Sequence, residues 1–90
     1  MPRYVVEREF VDGLNVSVSD IGAKACLAVV ESNLMDEVTW WHSYVSTDKK
    51  KTFCICDGPS PEAIRRAASR CRLPIRCITE VQVLDPYFYR

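Results

Sequence analysis

Apolar and polar residues alternate near the amino end of the chain. Tyr4, Val6 and Phe10 share one parity, while Val5, Glu7 and Glu9 share the other. Residues 4–10 therefore read as a strand, and Asp12-Gly13 supplies a turn after it. The period then changes. Ile21, Ala25 and Val29 lie four apart, as do Cys26, Val30 and Leu34, and the two rows together predict one apolar stripe on a helix over about 18–34. Ser17 with Asp20 is its expected capping pair. Residues 38–46, rich in aromatic and branched side chains, read as a second strand. The polar run 47–51 is the expected hairpin loop, with its lysines in solvent. A third strand over 52–57 is closed by Gly58-Pro59. Ser60, Pro61 and Glu62 mark a helix start, with a cap, a proline in the first turn and an acid near the positive helix end. Ile64, Ala67, Ala68 and Cys71 form that helix's predicted buried face, and Leu73-Pro74 stops it. Residues 77–84 are the last predicted strand, and 85–90 a tail.

The order β-α-β-β-α-β within 90 residues predicts a single α+β domain over 1–90. It is of the ferredoxin-like kind, a four-stranded antiparallel sheet with two helices on one face. The other face is then open. Giving the helices the more apolar parity of each strand places Tyr4, Val6, Phe10, Trp41, Val45, Phe53, Ile55, Val81 and Val83 in the core. The open face then holds Glu7, Glu9, Trp40, His42, Tyr44, Cys54, Cys56, Glu80 and Gln82. A five-residue hairpin loop at 47–51 keeps these parities consistent. Arg8 shares parity with the core set, and the expectation is that it snorkels out near a strand end. Aromatic rings on an open face are costly to leave in water, so a homodimer formed through this face is expected.

Composition narrows the field. Twelve basic residues balance twelve acidic ones, which leaves no global field for nucleic acid or an anionic membrane. No apolar run is long enough for a signal core or a membrane span, so the expected location is cytoplasmic. The cysteines number five and there is no secretion signal, which points to free thiols in a reducing compartment.

Candidate chemistry gathers on the expected open face. His42 is the one histidine, and an imidazole serves as a ligand for zinc, copper, nickel or iron, or as a general base. Glu7, Glu9 and Glu80 add carboxylates, and with His42 they make a nitrogen-and-oxygen set for a divalent transition metal. Cys54 and Cys56 place two sulfurs on one side of one strand, although not at the spacing of a zinc knuckle. Each of these residues also has a plain structural role open to it: a hydrogen-bonded histidine at a dimer seam, salt-bridged acids, small apolar thiols. Arg65, Arg66, Arg70 and Arg72 read as a solvated helix face. No phosphate loop, serine elbow or His-Glu-x-x-His motif dictates an enzyme. One enzymatic alternative stands, a dimeric α+β barrel type protein. It would hold a small organic molecule between sheet and helices, with His42 as acid or base.

The segments MPRYVVEREF, WWHSYVSTDKKKTFCIC, DGPSPEAIRRAASR and ITEVQVLDP resemble a family of small bacterial-type proteins catalogued as a domain of unknown function. Some of its members are described as nickel-binding. The resemblance spans nearly the whole chain and is most specific at Tyr4–Phe10, His42–Val45 and Pro61–Ile64. It implies a ferredoxin-like subunit that dimerises and a capacity for Ni²⁺. His42 and Glu7 lie inside matching motifs and are the first expected ligands, followed by Glu9, Glu80, Cys54 and Cys56. Cys56 stands where the family pattern leads one to expect an aromatic residue.

Overall fold

The computed structural model describes residues 1–14 and 20–88. Its elements run β1 (Arg3–Glu9), α1 (Asp20–Leu34), β2 (Thr39–Val45), β3 (Lys51–Asp57), α2 (Pro61–Arg70) and β4 (Cys77–Val81). The strands form one antiparallel sheet in the order β2-β3-β1-β4. This is the ferredoxin-like α+β arrangement, in which each β-α-β crossover skips one strand.

Local chemistry explains most of the boundaries. After β1 the chain turns through Gly13, whose φ of 81° lies in the left-handed region that glycine enters without a steric cost. The helix α2 begins where the Ser60 side chain accepts a hydrogen bond from the Ala63 N–H at 3.2 Å, with Pro61 in the first turn. It stops at Cys71, and Arg72 takes a left-handed φ of 56°. The capping role expected of Ser17 lies outside the described residues. Strand β4 ends at Val81, three residues short of expectation.

Pairing between strands decides which side chains meet the helices. Tyr4 faces Cys56 and Val6 faces Cys54 across β1 and β3, and all four are buried. They pack with Val38, Ala63, Ile64 and Ala67 into the core, with Trp40, Ile75 and Ile78 against it. Each fully buried branched side chain here, such as Val6 or Ile64, contributes roughly 1.5–3 kcal/mol.

This reverses the face expected for β3. Cys54 and Cys56 point toward the helices, and Phe53 and Ile55 point to the open side. The hairpin is the cause. The Ser46 N–H donates to the Lys51 carbonyl at 2.9 Å, so the loop has four residues, 47–50, and not five. A shift of one residue in a period of two moves every side chain to the other face. The same loop is held by Asp48, whose carboxylate accepts from the Ser46 hydroxyl at 2.6 Å and the Lys50 N–H at 3.0 Å. Those bonds keep its carboxyl below the usual range.

Strand β2 carries a second correction. A bulge between Trp40 and His42 leaves Trp41 without a pairing partner. Trp40 therefore turns inward opposite Cys56, and its indole N–H donates to the Ser43 hydroxyl at 2.8 Å. Trp41, expected in the core, is 55% exposed. In β4 the expected parity is also exchanged: Ile78 and Glu80 pair with Val6 and Tyr4 on the helix side, leaving Thr79 and Val81 on the open side.

The helices differ in how they sit. In α2, Ala63, Ile64, Ala67 and Ala68 are all buried. Among the described side chains of α1, Cys26, Val29 and Asn33 turn inward, and Gly22 is buried beside them. Leu27, Val30 and Leu34 of α1 are exposed, so the outer surface holds part of the stripe expected to be buried. Arg8 does not snorkel out. It is 8% exposed and donates from Nη1 to the Pro74 carbonyl at 3.0 Å.

Candidate functional site

The open face of the sheet is built in rungs. His42 pairs with Ile55, which pairs with Val5; Tyr44 pairs with Phe53, which pairs with Glu7, and Glu7 with Cys77. His42 and Tyr44 follow one another on this face at i and i+2. Their rings meet edge to face, with centroids 5.3 Å apart and planes at 87°. The imidazole is exposed and rests against the Tyr44 ring.

At the β4 side of the same face lies a second group. The Cys77 thiol donates to the Glu7 carboxylate at 3.1 Å. That hydrogen bond, aided by desolvation, raises the Cys77 pKa above its usual value. Arg76 stands 3.6 Å from Glu7 and 3.8 Å from Glu9, as long ion pairs. At the other end of the rungs, the Arg3 guanidinium grips Asp57 at 2.8 and 3.3 Å in a forked pair. The Arg3 bond holds the Asp57 carboxyl below the usual range, against desolvation and with help from the Trp41 indole. Trp41 also takes the Arg3 cation at 5.6 Å from its ring centre.

Of the six residues singled out from the sequence, three share this face: His42, Glu7 and Glu9. Cys54, Cys56 and Glu80 face the helix side. Burial drives the Cys56 thiol up to about 11, with the neighbouring Cys54 adding to it, so it stays protonated at neutral pH. Glu7 sits two strands from His42 and one rung away. At roughly 4.8 Å per strand spacing, the two are about 10 Å apart across the sheet. Among the described residues, no three His, Cys, Asp or Glu side chains gather closely enough to hold a metal ion. One chain thus offers an imidazole, and separately a carboxylate with a thiol. The donor types suit a divalent transition metal, but they do not close around one ion within the chain.

Cys77, Arg76, Asp57 and Arg3 complete this face and were missed as site residues. The parity of β4, once exchanged, is what brings Cys77 beside Glu7. The cavity expected beside His42 lies elsewhere. A space of about 430 Å³ sits between α1 and the sheet, lined among others by Arg8, Trp40 and Cys54. His42 points away from it, on the opposite face, so it cannot act as acid or base on a molecule held there.

Comparisons with known proteins agree with this architecture. The model of a family described as nickel responsive protein SCO4226-like matches residues 4–81. The crystal structure of SCO4226 from Streptomyces coelicolor A3(2) superposes with a TM-score of 0.72 at 20% identity, covering 92% of this chain and 99% of that one. At that identity the likeness carries the fold. Curated proteins gave no significant match.

Proposed function

The chain belongs to the SCO4226-like family of nickel responsive proteins, and we propose that it binds Ni²⁺ in the cytosol, with His42 as the anchoring ligand and a second copy completing the site. One observation carries the reading: the single imidazole is displayed on an open, partly apolar sheet face, two strands away from the Glu7 carboxylate. Stacking of two such faces about a two-fold axis would let each His42 meet donors of the other copy. A two-fold interface makes every such contact twice. Phe53, Ile55, Trp41 and Tyr44 supply the apolar area that such stacking would remove from water. The Glu7 and Glu9 carboxylates would have to exchange their long Arg76 contacts for metal or for the partner chain. Imidazole with carboxylate oxygens is a donor set that Ni²⁺ accepts, although copper binds such sites more tightly. The odd count of five cysteines fits free thiols in a reducing compartment.

The test is elemental analysis of protein purified without an affinity tag, alongside its mass in solution. Near-stoichiometric nickel in a dimer is the expected result, with nickel lost in His42→Ala and weakened in Glu7→Gln. Cys54→Ser should keep its nickel, because that thiol faces the helices. Retention of full nickel by His42→Ala would remove the proposed anchor.

A further inference from the structure

The space between α1 and the sheet arises from a mismatch of side-chain sizes. The inward row of β3 is Thr52, Cys54 and Cys56, and its bulkier Phe53 and Ile55 point away. Opposite stand Ala25, Cys26, Val29 and Asn33 of α1. Small groups face small groups, and the backbones do not close the difference. The result is a partly open cavity of about 430 Å³, walled by Phe10, Leu14, Val29, Trp40, Val45 and Leu73. Interiors of folded proteins are normally filled to crystal-like density. This volume falls within the roughly 300–1,000 Å³ of small-molecule sites.

A cation stands in the wall of this apolar space. Arg8 is 92% withdrawn from water, being 8% exposed. Its one hydrogen bond among the described residues is the Nη1 donation to the Pro74 carbonyl, and no carboxylate pairs with it there. A guanidinium has five N–H donors in a planar fork. No buried side-chain nitrogen among the described residues lacks a hydrogen-bond partner, so the remaining N–H donors of Arg8 border accessible space, and a carboxylate is the partner whose geometry they fit, through two parallel bonds. The carboxylates of the neighbouring strand residues Glu7 and Glu9 lie on the other face, held by Arg76.

We propose that this cavity binds a small organic acid with an apolar body, its carboxylate held by Arg8 and its body lying against Trp40, Val29 and Val45. The site is independent of the nickel reading, since it lies on the opposite side of the sheet from His42. Asn33, Ser43 and Thr52 are the remaining polar groups in the wall. The Ser43 hydroxyl accepts from the Trp40 indole N–H, and its own O–H remains a neutral donor. Arg8 supplies the one charge in the wall, so selectivity rests chiefly on that charge and on apolar shape, with Asn33, Ser43 and Thr52 as neutral polar neighbours.

The test uses the metal-free full chain carrying Trp41→Phe, which leaves Trp40 as the one indole and makes its fluorescence a report from the cavity wall. Sodium octanoate is the probe, 1-octanol the uncharged control and acetate the charge without the body. Octanoate should bind saturably, at least about ten-fold more tightly than 1-octanol, as expected for a charge-assisted hydrogen bond. Acetate should give no signal. Arg8→Gln should reduce octanoate to the affinity of 1-octanol while leaving 1-octanol unchanged. Val29→Phe, which fills the cavity from α1 without altering Arg8, should abolish binding of both. It decides the matter should Arg8→Gln fail to fold. Equal affinity for octanoate and 1-octanol, or the absence of saturable binding, would overturn the proposal. His42→Ala should leave octanoate binding intact, so failure here and failure of the nickel reading are separate results.

Discussion

The two helices cover the same side of one sheet, yet they do so in different ways. Four side chains of α2 are buried, its start is capped by Ser60, and Ile64 sits at the centre of the core. α1 is half again as long, but it turns Leu27, Val30 and Leu34 outward and sets small residues over a cavity. Length does not measure how firmly a helix is held. What matters is whether its apolar stripe coincides with the row that meets the sheet. In α2 the two coincide. In α1 they are rotated apart, so much of its apolar surface contributes nothing to the core.

The contrast can be broken most directly by truncating one residue from each helix. Ile64→Ala should cost about 2–5 kcal/mol, the usual range for emptying a fully buried site. Val29→Ala should cost less than about 1 kcal/mol, because that side chain already borders open space. Urea midpoints of the two variants check this, and equal losses would mean that α1 is packed as firmly as α2. Next in size is the cap. Ser60→Ala should destabilise by about 1 kcal/mol through loss of the bond to the Ala63 N–H, read as a shift in midpoint at unchanged slope.

The smallest expected effect concerns the tie between the helices. Asp36, in the turn after α1, accepts from Arg70 at 2.7 Å and Arg66 at 3.0 Å of α2. These hydrogen bonds, Arg70 first, hold its carboxyl below the usual value. The folded chain therefore takes up this proton less readily than the unfolded chain. The stabilising contribution is present above the ordinary carboxylate value and fades as pH falls below about 4, through the lowered folded value. Melting curves on acidification should fall more steeply for the parent than for Asp36→Asn. Parallel curves would show that the tie contributes nothing.

What could be read from the sequence follows the same division. Ser60, Pro61 and Ala63 act within four residues of one another, so α2 was legible from local chemistry alone. The face of β3 was not. Phe53, Cys54, Ile55 and Cys56 are all apolar, so hydrophobicity separated the two parities only weakly, and the bulkier pair it favoured faces outward. The decision passed to the hairpin, where four loop residues instead of five exchanged the faces. Trp40 and Trp41 posed the same problem, and a bulge that no residue type announces resolved it. For the candidate residues, the shared open face of His42, Glu7 and Glu9 was legible. Cys54 and Cys56 were lost to the hairpin, and Glu80 to the register of β4 against β1. Arg8 shows a different limit. Its parity was read correctly, but only the surrounding small side chains reveal that it stays inside.

The bulge at Trp41 also governs how this sheet can grow. β2 lies at one border of the sheet, where unpaired backbone N–H and C=O groups would otherwise offer a template for another strand. An unpaired residue there bends the border and breaks its regular spacing. At the opposite border β4 is only five residues long. Neither border suits continuous ribbon formation. Strand-by-strand extension of this sheet is therefore obstructed at both borders.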